Sequence, residues 1–190
     1  MPHNFWLTKK GKRLPEELRE VMLCQPWSHE FFDAINSGIP VCGWEAIFLR
    51  RDISGELEVL LIDRDPTDNN FAGSTAIPGS IPRNTDVIFG RTSDEIDTIV
   101  LNRIFLNELK LSERQIAQIS ITNCGVVTWR HVRGGSISNC FICFANELEV
   151  PVGKWHQVKN LPDNLLGGQG VVIYKGVSYV EDHPDTIPAI

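Results

Sequence analysis

The chain predicts an α/β (α+β) fold, a mixed β-sheet sandwiched between α-helices with a helical extension at the N-terminus. Three observations carry this. Apolar strand-like runs outnumber helical ones and pair mostly as hairpins. One segment, residues 93–109, has helical spacing of apolar residues, with Ile96, Ile99, Val100 and Leu106 behind a Thr92 cap. Residues 14–38 read as helical and separate from the rest of the chain, because Gly38 closes them and the character changes at Pro40. The predicted organisation is a helical extension over 1–38, one domain over 39–183 and a tail over 184–190.

In the extension, Pro15 suits a first helical position and Leu18, Val21 and Met22 share a face; a second helix spans Ser28–Ser37. Val41–Leu49 and Leu57–Asp63 are strands joined across the turn at Asp52–Gly55, and Asp65–Asn70 is polar loop. Thr92-Ser93-Asp94-Glu95 has capping-box spacing and opens the helix over 93–109. A short helix near Glu113–Gln118 precedes a strand over Ile119–Trp129. Arg133-Gly134-Gly135 turns the chain into a strand at Ser138–Ala145. Trp155–Val158 and Val171–Tyr174 are further apolar runs, the second read as a strand behind Gly167–Gly170. Placed before a strand, those glycines do not form a dinucleotide fingerprint.

Composition excludes several classes of function. Hydrophobic residues at 42% and charged residues at 22% are those of a globular protein. A net charge of -6 argues against nucleic-acid binding, which leaves a basic footprint. The basic run Lys9, Lys10, Lys12 and Arg13 is answered at once by Glu16, Glu17 and Glu20 and reads as a solvated face. No apolar stretch has the length of a membrane span, and no apolar core comes after Lys9 and Lys10, so neither a membrane partner nor a secretory leader is expected. Five cysteines, an odd number, point to a reducing, cytoplasmic setting. Cys140 and Cys143 form a Cys-x-x-Cys, but in a strand they face opposite sides and read as core. No Gly-x-Ser-x-Gly elbow or triad order supports nucleophilic catalysis.

Ala76-Ile77-Pro78-Gly79-Ser80 followed by Glu95–Leu109 resembles the Nudix box, Gly-x5-Glu-x7-Arg-Glu-U-x-Glu-Glu-x-Gly-U, with U a bulky apolar residue. Glu95 and Arg103 keep the pattern's spacing. The likeness covers roughly Pro40 to Asp182. Val59-Leu60-Leu61-Ile62-Asp63-Arg64 is similar to the family's "LLI-x-R" strand, and Trp155 to Pro162 to its "W-x-x-x-x-x-L-P" element. The chain departs from the pattern in two places. Sixteen positions separate Gly79 from Glu95 where the pattern has six, and the acids after the Arg read Ile104, Asn107 and Glu108.

The resemblance implies a hydrolase of nucleoside diphosphate-linked compounds, with Mg²⁺ or Mn²⁺ on helix carboxylates and on the turn's backbone carbonyl. A hard cation neutralises pyrophosphate charge and lowers the pKa of bound water, and it needs several oxygen ligands. Glu108 is then the metal ligand near Gly79 and Ser80, and Glu108, Arg103 and Glu95 are the catalytic candidates. Glu95 is explained equally by helix capping, and Arg103, lacking its acidic neighbours, has Asp97, Asn107 or solvent as partners. Glu147 and Glu149 lie roughly where relatives carry an extra acid. Arg130 and Arg133, near a hairpin tip, have the geometry to clamp a phosphate or are simply solvated charges. Isoleucine cannot ligate, so weak or lost hydrolysis is expected, and Ile104→Glu with Asn107→Glu would rebuild the cluster. The alternatives are a non-catalytic module binding a nucleotide-like small molecule with Pro82–Thr92 as a lid, needing no cofactor, and an interaction role for the N-terminal helices, in its simplest form a homodimer.

Overall fold

The computed structural model describes residues 40–187 apart from 69–70, 84, 88–89, 132–133 and 145–147. The helices expected within 14–38 lie outside the described residues. Beyond Pro40 the chain builds the mixed sheet that the sequence predicts. Its strands are β1 (Val41–Arg51), β2 (Leu57–Asp63), β3 (Thr75–Ala76), β4 (Gly79–Ser80), β5 (Ser120–His131), β6 (Gly134–Phe144) and β7 (Lys154–Gln157). The order is β3-β2-β1-β6-β5, with β4 also on β1 and β7 also on β2. β1 and β6 run parallel, and the other pairs are antiparallel.

β1 organises the sheet. Along one edge, Val41 to Phe48 pair with β6. Along the other edge, Trp44 and Glu45 pair with the two-residue β4, and only from Leu49 onward does β2 take over. The strand is buried on both faces, which explains its near-continuous apolar run. Ile47 and Leu49 face one core with Cys140 and Ile142, while Ala46 and Phe48 face a second core with Phe141 and Cys143. The two cysteines thus point to opposite faces as bare core residues.

The first core is covered by helix α3 (Gln169–Asp182), where Val172, Ile173, Gly176, Val177 and Val180 are buried. That helix corrects the reading of Val171–Tyr174 as a strand. A four-residue apolar window cannot distinguish the two, and the helical period becomes visible only when it is extended to Val180. The second core is covered by α1 (Ser93–Arg103), which Thr92 opens with the expected capping box: its hydroxyl accepts from Glu95 N–H, and the Glu95 carboxylate accepts from Thr92 N–H at 2.7 Å. A short α2 (Glu113–Ile116) comes next, capped in the same way by Ser112 and Gln115. Among the described residues, no helix is long and apolar enough to cross a membrane.

The helix expected over 93–109 does not stay α-helical to its end. Ile104–Glu108 form a π turn, closed by Leu109 N–H to the Ile104 carbonyl at 3.1 Å. Packing explains the widening. In an unbroken α-helix, Glu108 would lie over Ile104 on the core-facing stripe. The extra residue of an i→i+5 turn lets Leu109 take a fully buried place, beside the equally buried Ile104 and Phe105, and turns Glu108 away.

Phe105 meets Phe48 edge to face, with centroids 5.5 Å apart at 76°. Phe105→Ala therefore opens a cavity where helix and sheet meet. It should lower the unfolding free energy by about 3–5 kcal/mol in urea titrations, and a loss below about 1 kcal/mol would show that this core is not packed as described.

Candidate functional site

The turn Ile77-Pro78-Gly79 is held at both ends. Ile77 N–H donates to Gln169 Oε1 at 2.8 Å, tying the turn to the start of α3, and the Pro78 carbonyl accepts from Ala46 N–H at 2.9 Å. Gly79 then lies opposite Glu45 in the β1–β4 pairing. From the helical side, Glu108 Oε2 accepts from Gly79 N–H at 3.2 Å. Two carboxylates thus converge on one glycine, and the glycine is required. A Cβ at Gly79 would stand 2.2 Å from Glu45 Oε2 and 3.0 Å from its Cδ.

Glu45 is 7% exposed and has a specific seat. Ser138 Oγ donates to its Oε1 at 3.2 Å, and Ser138 in turn accepts from Trp129 Nε1–H at 2.8 Å. Burial pushes the Glu45 carboxyl up to about 7; the Ser138 hydrogen bond opposes this, the Glu108 charge adds to it and the Arg64 charge opposes it. Burial likewise raises Glu108 to about 7, against the Gly79 N–H and the charges of Arg64 and Arg103. Arg64 Nη2 pairs with Asp68 at 2.7 Å, while its Nε is buried without a hydrogen-bond partner.

Arg103 does not bind Asp97, Asn107 or solvent as expected. Its Nη1 meets Asp86 Oδ2 at 2.6 Å, and its Nη2 donates to the Ile81 carbonyl at 2.9 Å and to Ser80 Oγ at 3.3 Å. Asp86 comes from the long segment between Gly79 and Glu95, where Arg91 also donates to the Thr85 and Asp86 carbonyls. The described part of that segment is fastened to the helix. Asp97 instead accepts from Trp44 Nε1–H and from Asn139.

No protein-family model matches this sequence, and no curated protein matches it. Solved structures do match in three dimensions. The Ap4A hydrolase of C. elegans superimposes with a TM-score of 0.52 at 13% identity, over 75% of this chain and 99% of its own. The NUDIX domain of Shewanella oneidensis NrtR, complexed with ADP ribose, gives 0.52 at 15% identity over 91% and 99%. A structure described as possible asymmetric Ap4A hydrolases from Jonesia denitrificans gives 0.50 at 16% over 81% and 100%. The chain has the Nudix fold.

Within the Nudix fold, Glu108, Gly79, Ser80 and Arg103 come together. Glu95 does not join them; it is exposed at the start of α1 and its carboxylate is occupied by Thr92. Arg130 is exposed on β5, and strand alternation turns it to the face opposite Trp129, away from Glu45. Arg133 and Glu147 lie outside the described residues. Glu149 lines a separate cleft of about 690 Å³ with Arg50, Gln115, Leu148, Val150, Pro151 and Trp155. Arg50 is five residues along β1 from Glu45, about 17 Å away.

The residue that sequence reading missed is Glu45, and a signal was there: it is the single acid within the apolar strand Val41–Leu49. A carboxyl placed among core residues is costly unless it is hydrogen-bonded, paired or functional.

The burial of this pair leads to two expectations. Both folded carboxyls titrate above the ordinary value of 4.5, so the folded state holds more protons than the unfolded one between about 4.5 and 7. Their contribution to stability is present below 4.5 and lost as pH rises through 7. At about 1.4 kcal/mol per pKa unit, each costs roughly 3 kcal/mol at pH 8. In metal-free buffer, Glu45→Gln should raise the melting temperature at pH 8 and change it little at pH 5; an equal effect at both pH values would contradict the burial cost. Ile104 is fully buried, so Ile104→Glu cannot rebuild a cluster with Glu108, contrary to the sequence expectation. It should destabilise by roughly 3–5 kcal/mol, as an unpaired buried charge does, with or without Mn²⁺. Recovery of stability on adding Mn²⁺ would place Ile104 at the site after all.

Proposed function

We propose that this chain binds nucleoside diphosphate-linked compounds at the Gly79 turn, with Mg²⁺ or Mn²⁺ held at Glu108 and the Gly79–Ser80 region, and that it cleaves their phosphoanhydride weakly or not at all. The observation that carries the reading is the Glu108 carboxylate seated on Gly79 N–H. It joins a helix acid to the glycine turn, the two elements on which the sequence resemblance places the metal. The donors fit a hard cation, being oxygens in a partly desolvated setting. When bound, such an ion neutralises phosphate charge and lowers the pKa of coordinated water.

The chain's own residues then do three things. Gly79 N–H orients one oxygen of Glu108 and leaves the other for a ligand. Arg64, whose charge reaches both Glu45 and Glu108, offers positive charge to incoming phosphates. Gln169 and the Pro78 carbonyl hold the turn rigid beneath them. Neighbours of the same fold include proteins described as Ap4A hydrolases and one complexed with ADP ribose, which supports a nucleotide-derived ligand here. Buried free thiols at Cys124, Cys140 and Cys143 agree with a cytoplasmic setting.

Two observations support slow turnover and keep a pure binding module as the second reading. Among the described residues, no group of three or more His, Cys, Asp or Glu is placed to hold a metal ion. Arg103 is engaged by Asp86, so it is not free to serve helix acids. Loss of a positioned acid-base group alone typically costs about 10²–10⁴-fold in rate.

ADP-ribose, Ap4A and nucleotide sugars, each with Mn²⁺, should be assayed by thermal shift and by product release. At 100 times its dissociation constant a bound ligand adds about 2.7 kcal/mol, so at least one compound should raise the melting temperature with little or no product. Absence of any shift would refute the binding reading. Rapid release of a nucleoside monophosphate, lost in Glu108→Gln, would refute the slow-turnover reading and leave an ordinary hydrolase.

A further inference from the structure

We propose that Glu45 is the second cation-ligating carboxylate of this site, supplied by strand β1 instead of by the helix, so that a divalent cation bound with a nucleoside diphosphate is held between Glu45 Oε2 and Glu108. The inference rests on the nucleotide–cation reading of the Gly79 turn and assigns a residue that neither the helix pattern nor that reading contains. Its basis is the seat of Glu45. The Ser138 hydroxyl, itself fixed by Trp129, satisfies Oε1, whereas among the described residues no hydrogen-bond donor reaches Oε2. That unpartnered oxygen belongs to a side chain only 7% exposed, and it is aimed at Gly79, the residue on which Glu108 is also seated.

Among the described residues Oε2 is not one of the fully enclosed oxygens, so beside the fixed Oε1 it stays within reach of an incoming ion. Here Oε2 lies against Gly79, on whose N–H Glu108 is seated. The notch at Gly79 keeps it open, because any side chain there would collide with Glu45 Oε2. Two carboxylates and a diphosphate form a donor set suited to Mg²⁺ or Mn²⁺, ions that are commonly held by one or two carboxylates together with substrate phosphates. The strand acid thereby supplies the negative charge that Ile104 cannot, and Ile104 stays free to fill the core. Ser138 and Trp129 act as positioning residues for Glu45.

The test is Mn²⁺ binding to metal-free protein at pH 8, read as loss of the free-ion signal in electron paramagnetic resonance, with and without ADP. The natural chain should bind Mn²⁺, more tightly with ADP. Glu45→Gln should weaken binding at least about tenfold, as Glu108→Gln does. Gly79→Ala, which leaves both charges in place but crowds Oε2, should weaken it too. Cooperative melting of each variant establishes that it is folded, and Ser138→Ala, which releases Glu45 without removing its charge, serves as an additional variant and should also weaken binding. Unchanged Mn²⁺ affinity in folded Glu45→Gln, with loss in Glu108→Gln, would overturn the role of Glu45 and leave the proposed function standing. No Mn²⁺ binding by the natural chain, even with ADP, would overturn both.

Discussion

Glu45 and Glu108 are brought to the same glycine from opposite directions, one by a strand and one by the end of a helix, and neither is free to move away. The strand acid is locked by Ser138 and by the pairing of β1 with the short β4. The helix acid is turned out of the core by the π turn that lets Leu109 pack behind it. Desolvating two carboxyl groups this closely is unfavourable at neutral pH, and both are raised to about 7 as a result. The rest of the local architecture accommodates them. Gly79 has no side chain because Oε2 fills that space, and Gln169 anchors the turn so that it cannot relax.

The long segment after Gly79 has a related role. Arg103 sits one residue before the buried Ile104, and its guanidinium needs a counter-charge once no acid comes directly after it on the helix. Asp86 provides that charge from the inserted segment and also accepts from Arg83 N–H at 2.7 Å, so the pair is hydrogen-bonded on more than one side. Ser80 and the Ile81 carbonyl hold Nη2, while Nε is buried without a hydrogen-bond partner. The desolvation of a buried pair offsets much of its attraction, and what the pair supplies here is the set of hydrogen bonds that ties Asp86, Ser80 and Ile81 to Arg103. The described part of the insertion is therefore a brace between the glycine turn and α1, where the sequence alone allowed a lid.

Much of the architecture was legible from sequence because it rests on local signals. The near-continuous apolar run of Val41–Leu49, the turn at Asp52–Gly55 and the Thr92–Glu95 capping box each determine their element through nearby residues. The misreadings occurred where longer-range packing decides. Val171–Tyr174 is helical because its apolar period continues to Val180, and Glu108 leaves the apolar stripe because Ile104, Phe105 and Leu109 all claim the core. The site was half legible. Gly79, Ser80, Arg103 and Glu108 follow from the pattern along one segment. Glu45 is 34 residues before Gly79 and joins it only through the β1–β4 pairing, and Asp86 reaches Arg103 only because the segment after Gly79 folds back. Neither contact has a spacing in the sequence, although a lone acid in an apolar strand is a signal in its own right.

If the two carboxylates at Gly79 form one cation-and-phosphate site, a bound ion must lie between them. The most direct measurement is a crystal structure with Mn²⁺ and ADP, with data collected to locate manganese by anomalous scattering. One peak is expected, with carboxylate oxygens of Glu45 and Glu108 both about 2.1 Å away and phosphate oxygens completing the shell. A peak elsewhere, or ADP bound with no metal between these side chains, would contradict a shared site.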